Sequence, residues 1–412
     1  MMENKIRVVE LFAGIGAQRQ ALKNVGIDHE IVAISEIDKY ALLAYKKLHG
    51  STFNLGDICK IEKIPVSDLW TYSFPCTDIS LAGRLGGFAR GSNTKSSLLW
   101  EVQRLLEISK VYDELPKYLL MENVKNLVSK NFKPLFLEWV DYLSSLGYKS
   151  FYKVMNAKDY GIPQNRERVF MVSILDANAS FEFPEKCELK KKLIDYLEDE
   201  VDEKYFLSEK LIDCFSSMQN RNGLIRGLRF RPRGKDVDYA FTITTCPGNR
   251  ATDNFIIEPI PVAMRGRERD GDYRQVIEPK SDGIANAITT VQKDSMVIVP
   301  QNTKKGFDIA KVGDGIYVNR ANSKRGVVQK EKIPTLKTSC SDVAVVVNDL
   351  NDYISIRKLT PRECWRLMGW NDDEIDKVMD GTISNTQLYK MAGNSIVVNC
   401  LMAIFNKLYV NA

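Results

Sequence analysis

Residues 71–80, TYSFPCTDIS, place a proline and a cysteine directly after an apolar run and before a loop rich in glycine and arginine. By itself Cys76 reads better as an inert core thiol than as a nucleophile, since free cysteine is among the most buried residue types. Other stretches bear on that choice. YLLMENV, residues 118–124, brings Glu122 to the end of a strand, where partial burial raises a carboxyl's pKa and lets it share a proton with a substrate ring. A surface pair with Lys125 is the alternative. QNRERVF, residues 164–170, sets Gln164, Arg166 and Arg168 before another strand, and arginines two apart in an extended segment point the same way. They suit an anion or a carbonyl oxygen, or else a surface ion-pair cluster. ELFAGIGAQRQAL, residues 10–22, puts Phe12, Gly14 and Gly16 between a strand and a helix, where backbone N–H groups and the helix N-terminus favour an anionic group. Tight turns also want glycine for structural reasons. However, Glu36 closing the second strand and Asp57 following an expected third supply carboxylates at successive strand ends, which favours a nucleoside ligand. NAD is disfavoured because its third fingerprint glycine falls at Arg19.

These residues need a sheet with one ligand-binding edge. Short β-branched runs at 6–12, 31–35, 71–74, 118–122 and 168–174 alternate with helical patterns at 21–26, 38–50, 96–112 and 132–147. Such alternation predicts an α/β fold, a doubly wound, mostly parallel sheet covered by helices on both faces. After residue 182 the character changes. Helical periodicity at 189–200 and 208–218 gives way to arginine, glycine and short strands as far as about residue 348, and helix returns at 359–370 and 395–410. Within the β-rich part, three stretches align weakly through Thr242, Thr289 and Thr335, 47 and 46 residues apart, suggesting duplicated β-units or chance. The expected domains are 1–181, catalytic and ligand-binding; 182–383, β-rich; and 384–412, a C-terminal helix returning to the first.

The 412 residues, 44% hydrophobic and 27% charged, exclude a disordered chain. No apolar run is long enough to cross a bilayer, and the N-terminus lacks the pattern of a secretory signal, so a cytoplasmic, monomeric protein is expected. Eight cysteines without a CxxC pair and two histidines leave a metal site without ligands at usable spacing, so the thiols are expected reduced and metal-free. The net charge of +5 is modest, but ten arginines fall between Arg221 and Arg274 with aromatic residues interleaved. That composition suits nucleic acid better than an evenly mixed solvated face.

Together, LFAGIG, the Pro75-Cys76 pair, ENV, QNRER, RKLTPRECWRLMG and AGNS follow the order and approximate spacing of the C5-cytosine DNA methyltransferases, prokaryotic and phage type. The chain resembles that family from Val9 to about Phe405, interrupted by the arginine-rich insert, and departs from it at Thr77, at NTKSSLLW (residues 93–100) and at GNSIVV (residues 393–398). The resemblance implies a Rossmann-like fold with a β-rich target recognition domain, S-adenosylmethionine as cofactor and double-stranded DNA as partner. It implies that Cys76 adds to C6 of a cytosine flipped out of the duplex, that Glu122 bonds N3 and the exocyclic amine, that Asn123 shapes that segment, and that Arg168 with Arg166 holds O2 and lowers the thiol's pKa. Positions matching the family's cofactor site are Phe12, Gly14, Gly16, Glu36, Ile37, Asp57, Ile58, Pro75, Leu98, Asn394 and Ser395. Expected DNA contacts are Ser80, Arg84 and Arg90 on a glycine-rich lid, Gln164, and Arg229, Arg231, Arg233, Arg265 and Arg267 in the insert. No metal is implied. A restriction-modification or phage-protection setting with a cognate endonuclease fits the resemblance. A tRNA methyltransferase, a non-catalytic DNA-binding relative and, on fold pattern alone, a nicotinamide oxidoreductase are the rivals.

Overall fold

The computed structural model describes residues 5–79, 87–92, 94–207, 237–248, 253–269, 272–279, 296–300, 307–311, 315–317, 328–329, 343–345 and 352–410. Two compact units emerge. One holds residues 1–197, 238–246 and 361–412; the other holds 198–237 and 247–360.

The first unit is built on a six-stranded sheet of β1 (Ile6–Leu11), β2 (His29–Ser35), β3 (Leu69–Tyr72), β4 (Tyr118–Val124), β5 (Lys149–Asn156) and β7 (Glu167–Ile174), in the order β2-β1-β3-β4-β7-β5. A two-residue β6 (Gln164–Asn165) pairs separately with β8 (Ala240–Phe241). β2, β1, β3 and β4 are mutually parallel, and β7 runs antiparallel to both neighbours. The expected doubly wound, mostly parallel sheet is thus present. Alternate residues face opposite sides of a strand. Val9, Leu11, Trp70, Tyr72, Leu119 and Met121 join a buried cluster with α3 (Leu99–Val111) and α4 (Lys133–Ser145) through Val102, Leu106, Phe136 and Trp139. Val8, Leu120, Phe170 and Val172 between them are buried as well, so both faces are covered. α1 (Ala17–Val25) packs on a C-terminal helix, and α2 (Lys39–His49) starts at Asp38, whose side chain accepts from the Tyr40 and Ala41 N–H groups.

After residue 360 the chain adds α5 (Pro361–Arg366), α6 (Asp372–Val378), α7 (Asn385–Asn394) and α8 (Val398–Phe405). α8 is the helix against α1, with Leu401, Ile404 and Phe405 fully buried. Among the described residues, 385–410 is the one stretch with the length and hydropathy of a membrane span. It is broken between α7 and α8 and largely buried, as a core segment is.

Two expectations are corrected. The helical pattern at 189–200 yields only one 3-10 turn, Leu193–Tyr196, because Leu193 is buried while its neighbour Ile194 is exposed and no apolar face extends further. Asp57 does not follow a strand: Asn54 makes a single bridge with Ile34, and the third strand of the sheet is β3. The pattern at 208–218 lies outside the described residues.

The second unit contains the antiparallel sheet β10 (Asp272–Pro279), β9 (Phe255–Arg269) and β16 (Asp352–Lys358). It also contains a pair β11 (Met296–Pro300) and β12 (Phe307–Lys311), and a sheet of β14 (Val328–Gln329), β13 (Gly315–Tyr317) and β15 (Val343–Val345). Each repeated stretch contributes a strand, in β9, β11 and β15; Thr289 and Thr335 lie outside the described residues.

Candidate active site

The parallel strands end in register. Leu11 pairs with Ser35 and Tyr72, and Tyr72 with Met121. The antiparallel β7 begins at the same edge, where Arg168 pairs with Val124. The loops after β1, β2 and β3, the end of β4 and the start of β7 therefore converge. The winding reverses between β1 and β3, the switch point at which open α/β sheets bind ligands.

Cys76 sits in the loop after β3, partly exposed, with four nearby carbonyls tied down. The Phe74 carbonyl accepts from Asn123 Nδ2 (3.0 Å) and that of Pro75 from Ser96 Oγ (2.6 Å). The Cys76 carbonyl accepts from Ile79 N (3.1 Å), and that of Ile79 from Asn126 Nδ2 (2.6 Å). Glu122, 6% exposed, accepts from Ser73 Oγ at 2.6 Å on one oxygen and pairs with Arg168 Nε at 3.2 Å on the other. Burial pushes the Cys76 thiol up, the Glu122 charge adds to this, and the pull of Arg168 and then Arg166 does not offset them. Both arginines lower the thiol's pKa as expected, but burial and Glu122 outweigh them and the net direction is upward.

Arg166 and Gln164 are not presented to a ligand. The Arg166 guanidinium, 3% exposed, donates to the carbonyls of Ile243 (3.0 Å), Gly393 (2.9 Å) and Ser395 (2.8 Å). Burial pushes its pKa down to about 9, and its Nε is left unpaired. Gln164, fully buried, donates to the Leu367 carbonyl (2.7 Å) and accepts from Ile243 N (3.0 Å). Its expected DNA contact is corrected, since both ends of its amide are used inside the protein. These two side chains hold the 238–246 segment and the C-terminal helices against the sheet.

On the other side of the switch point, Phe12 (φ 56°), Gly14 (φ 57°) and Gly16 (φ 76°) form a left-handed turn into α1. A Cβ on Gly16 would lie 2.6 Å from His49 Nε2, so only glycine fits, whereas Gly14 faces open space. Glu36 accepts from Gly14 N (2.8 Å), Ile37 N (2.8 Å) and Asp38 N (2.7 Å), lacing the first loop to the second. Ile37 is 73% exposed beside it, an apolar face at the ligand edge. Asp57 Oδ1 accepts from Cys59 N (3.0 Å), and Ile58 is buried in the short turn that follows. Pro75 and Leu98 are half-buried, Asn394 is exposed at the end of α7, and Ser395 is buried. Lys390 pairs with Asp38 at 2.5 Å, joining α7 to the loop that carries Ile37. These groups fit a nucleoside-bearing ligand: free backbone approach at Gly14, an acid at a strand end and an uncovered apolar side chain.

Ser80, Arg84, Arg229, Arg231 and Arg233 lie outside the described residues. Arg90 stacks on Trp100 (4.2 Å) and donates to Gln103, which holds it on α3. Arg265 and Arg267 occupy alternate positions of β9, with Arg274 of β10 opposite Arg267. Among the described residues, no three metal-ligating side chains cluster. Sequence reasoning missed Ser73, Ser96 and Asn126, which frame the cysteine loop. It also missed Glu10, whose buried carboxylate accepts from Arg19 N (2.9 Å) and Tyr45 Oη (2.6 Å) beneath the glycine turn.

A sheet with this order, a glycine turn and strand-end acids on one side of the switch point, and a cysteine with a glutamate–arginine pair on the other, define a Rossmann-like methyltransferase. Residues 6–410 match the family model of the C-5 cytosine-specific DNA methylases, and the chain belongs to that family as a DNA cytosine-5 methyltransferase. It is 32% identical to the Type II methyltransferase M2.ScrFI of Lactococcus lactis subsp. cremoris, over 98% of this chain and 99% of that one. It is 28% identical to the orphan methyltransferase M.SPBetaI of Bacillus phage SPbeta, over 99% of each. The crystal structure of S. pombe Dnmt2 methyltransferase superposes with a TM-score of 0.58 over 99% of both chains at 19% identity, a likeness of fold.

Proposed function

We propose that the protein flips a cytosine out of duplex DNA and methylates C5 through a transient bond between Cys76 Sγ and C6. The convergence of Cys76, Glu122 and Arg168 at one sheet edge carries this reading. Cytosine C5 is a weak nucleophile; thiolate addition to C6 makes it enamine-like. Glu122 holds N3 and the exocyclic amine while negative charge builds in the ring, and Arg168 holds O2 and steadies Glu122. The Asn123 and Ser96 bonds keep the sulfur at the edge, and loss of the C5 proton then expels Cys76. S-adenosylmethionine, held by the 12–16 turn, Glu36, Ile37, Asp57 and Asn394, supplies the methyl group. Burial disfavours the Cys76 thiolate in the free protein, and charges in the occupied site are proposed to offset that.

Residues 198–360, apart from 238–246, are proposed to read the duplex in the major or minor groove, with the arginine-rich stretch on phosphates and bases. The names of the relatives, a type II enzyme and a phage enzyme, support a cytoplasmic, nucleoid-associated, restriction-modification or phage-protection role, with an endonuclease as the partner in the first case. The experiment is incubation with duplex DNA containing 5-fluorocytosine and S-adenosylmethionine. A covalent protein–DNA species is expected from the wild type and none from Cys76→Ser. Absence of the species from an enzyme that does methylate DNA overturns the mechanism. Bisulfite sequencing of host DNA identifies the target site.

A further inference from the structure

We infer that Ser73 is a positioning residue of the reaction, its hydroxyl fixing the Glu122 carboxylate relative to the Cys76 thiol. The inference rests on the roles proposed above for those two residues. Backbone pairing between β3 and β4 ends at Tyr72–Met121. Beyond it, Pro75 has no N–H to donate, and the chain turns back through the Ile79 N to Cys76 carbonyl bond. The two strands nevertheless stay joined for two more residues through side chains. Ser73 Oγ donates to Glu122 Oε2 at 2.6 Å, and the Phe74 carbonyl accepts from Asn123 Nδ2 at 3.0 Å. The rungs 73–122 and 74–123 continue the register of the ladder that has ended. The Asn123 rung holds main chain. The Ser73 rung joins the nucleophile's own segment directly to a reacting head group.

Glu122 is gripped from both sides, by Ser73 from the β3 side on Oε2 and by Arg168 Nε from the β7 side at 3.2 Å on Oε1. The two grips differ chemically. A guanidinium can only donate, so its pairing weakens where the carboxyl gains a proton toward a base nitrogen and loses its charge. A hydroxyl both donates and accepts, so it keeps contact through that change. Without the hydroxyl, the carboxylate is drawn toward Arg168 alone, away from the segment that carries the thiol. Small misplacements of this kind act on the chemical step more than on binding.

The test compares Ser73→Ala and Ser73→Thr with wild type. It measures kcat and KM for duplex DNA and S-adenosylmethionine, and the rate of covalent capture by 5-fluorocytosine DNA, below the melting temperature of each protein by circular dichroism. Loss of a hydrogen bond to a charged group predicts that Ser73→Ala lowers kcat and the capture rate by roughly tenfold to thirtyfold. Both KM values should stay within about twofold, and Ser73→Thr should recover most of the rate. Unchanged kcat in Ser73→Ala overturns the proposal, as does a change confined to KM. Equal impairment of the alanine and threonine variants, which would assign the effect to space instead of the hydroxyl, overturns it too. Covalent capture by Cys76→Ser would instead remove the underlying mechanism, whatever Ser73 does.

Discussion

Replacing Glu10 with glutamine is expected to stabilise the fold above neutrality and to lose that advantage in acid. Glu10 lies on β1 with no exposed surface, bonded to Arg19 N and Tyr45 Oη. Burial outweighs both bonds and lifts the carboxyl from its ordinary 4.5 to about 7, and the Tyr45 hydroxyl beside it is raised as well, again chiefly by burial. Because the folded value lies above the unfolded one, the native state holds this proton more tightly. The associated stability is complete below the unfolded value and is lost as pH rises through the folded one. The whole displacement corresponds to about 3 kcal/mol. Roughly 2.5 kcal/mol of it falls between pH 5 and pH 8. Glutamine keeps an acceptor for Arg19 and cannot ionise. Urea unfolding of both proteins across that interval should show wild type losing about 2.5 kcal/mol more than Glu10→Gln, with other titrating groups cancelling in the difference. Parallel stability curves, differing by a constant to within about 0.5 kcal/mol, would refute burial as the controlling effect.

Alkylation of Cys76 in the free protein should have its midpoint above that of an ordinary thiol, read by iodoacetamide labelling against pH. Arg168→Ala should push that midpoint higher still, because it removes the larger of the two favourable charges. Asn123→Ala frees the Phe74 carbonyl and should cost about 2 kcal/mol in denaturant unfolding, with kcat falling because the cysteine loop loosens. In Gly393→Ala the added Cβ would meet Thr245 N at 2.4 Å and the Thr244 carbonyl carbon at 2.5 Å, main-chain atoms that cannot swing aside. A loss of about 3 kcal/mol is expected by the same measurement.

The strands of the parallel sheet were legible because strands buried on both faces read as short, nearly continuous apolar runs: IRVVEL, IVAIS and YLLM carry no competing helical pattern. β5 escaped notice because KSFYKVMN lies at the sheet's edge and mixes lysine and asparagine with its apolar residues. The 189–200 helix failed for the opposite reason, a helical spacing of leucines with nothing for more than one turn to pack against. At the site, the positions of Cys76, Glu122 and Arg168 were readable because each sits at a strand boundary. What Gln164 and Arg166 do was not. Their partners are carbonyls of Ile243, Leu367, Gly393 and Ser395, and a carbonyl has no side-chain identity by which a sequence could announce it. Ser73 was hidden for a related reason, since a serine near a strand end is common and only the register with Glu122 gives it meaning.

The packing of α8 (398–405) on α1 (17–25) joins two helices separated by more than 370 residues of chain. At bacterial elongation rates the ribosome needs roughly 20 to 70 seconds to travel between them. Throughout that interval α1 lacks its α8 partner, and until residues 393–395 are made Arg166 lacks two of its three carbonyls. The contacts that brace this edge of the sheet are therefore completed only when residues 393–405 have been made.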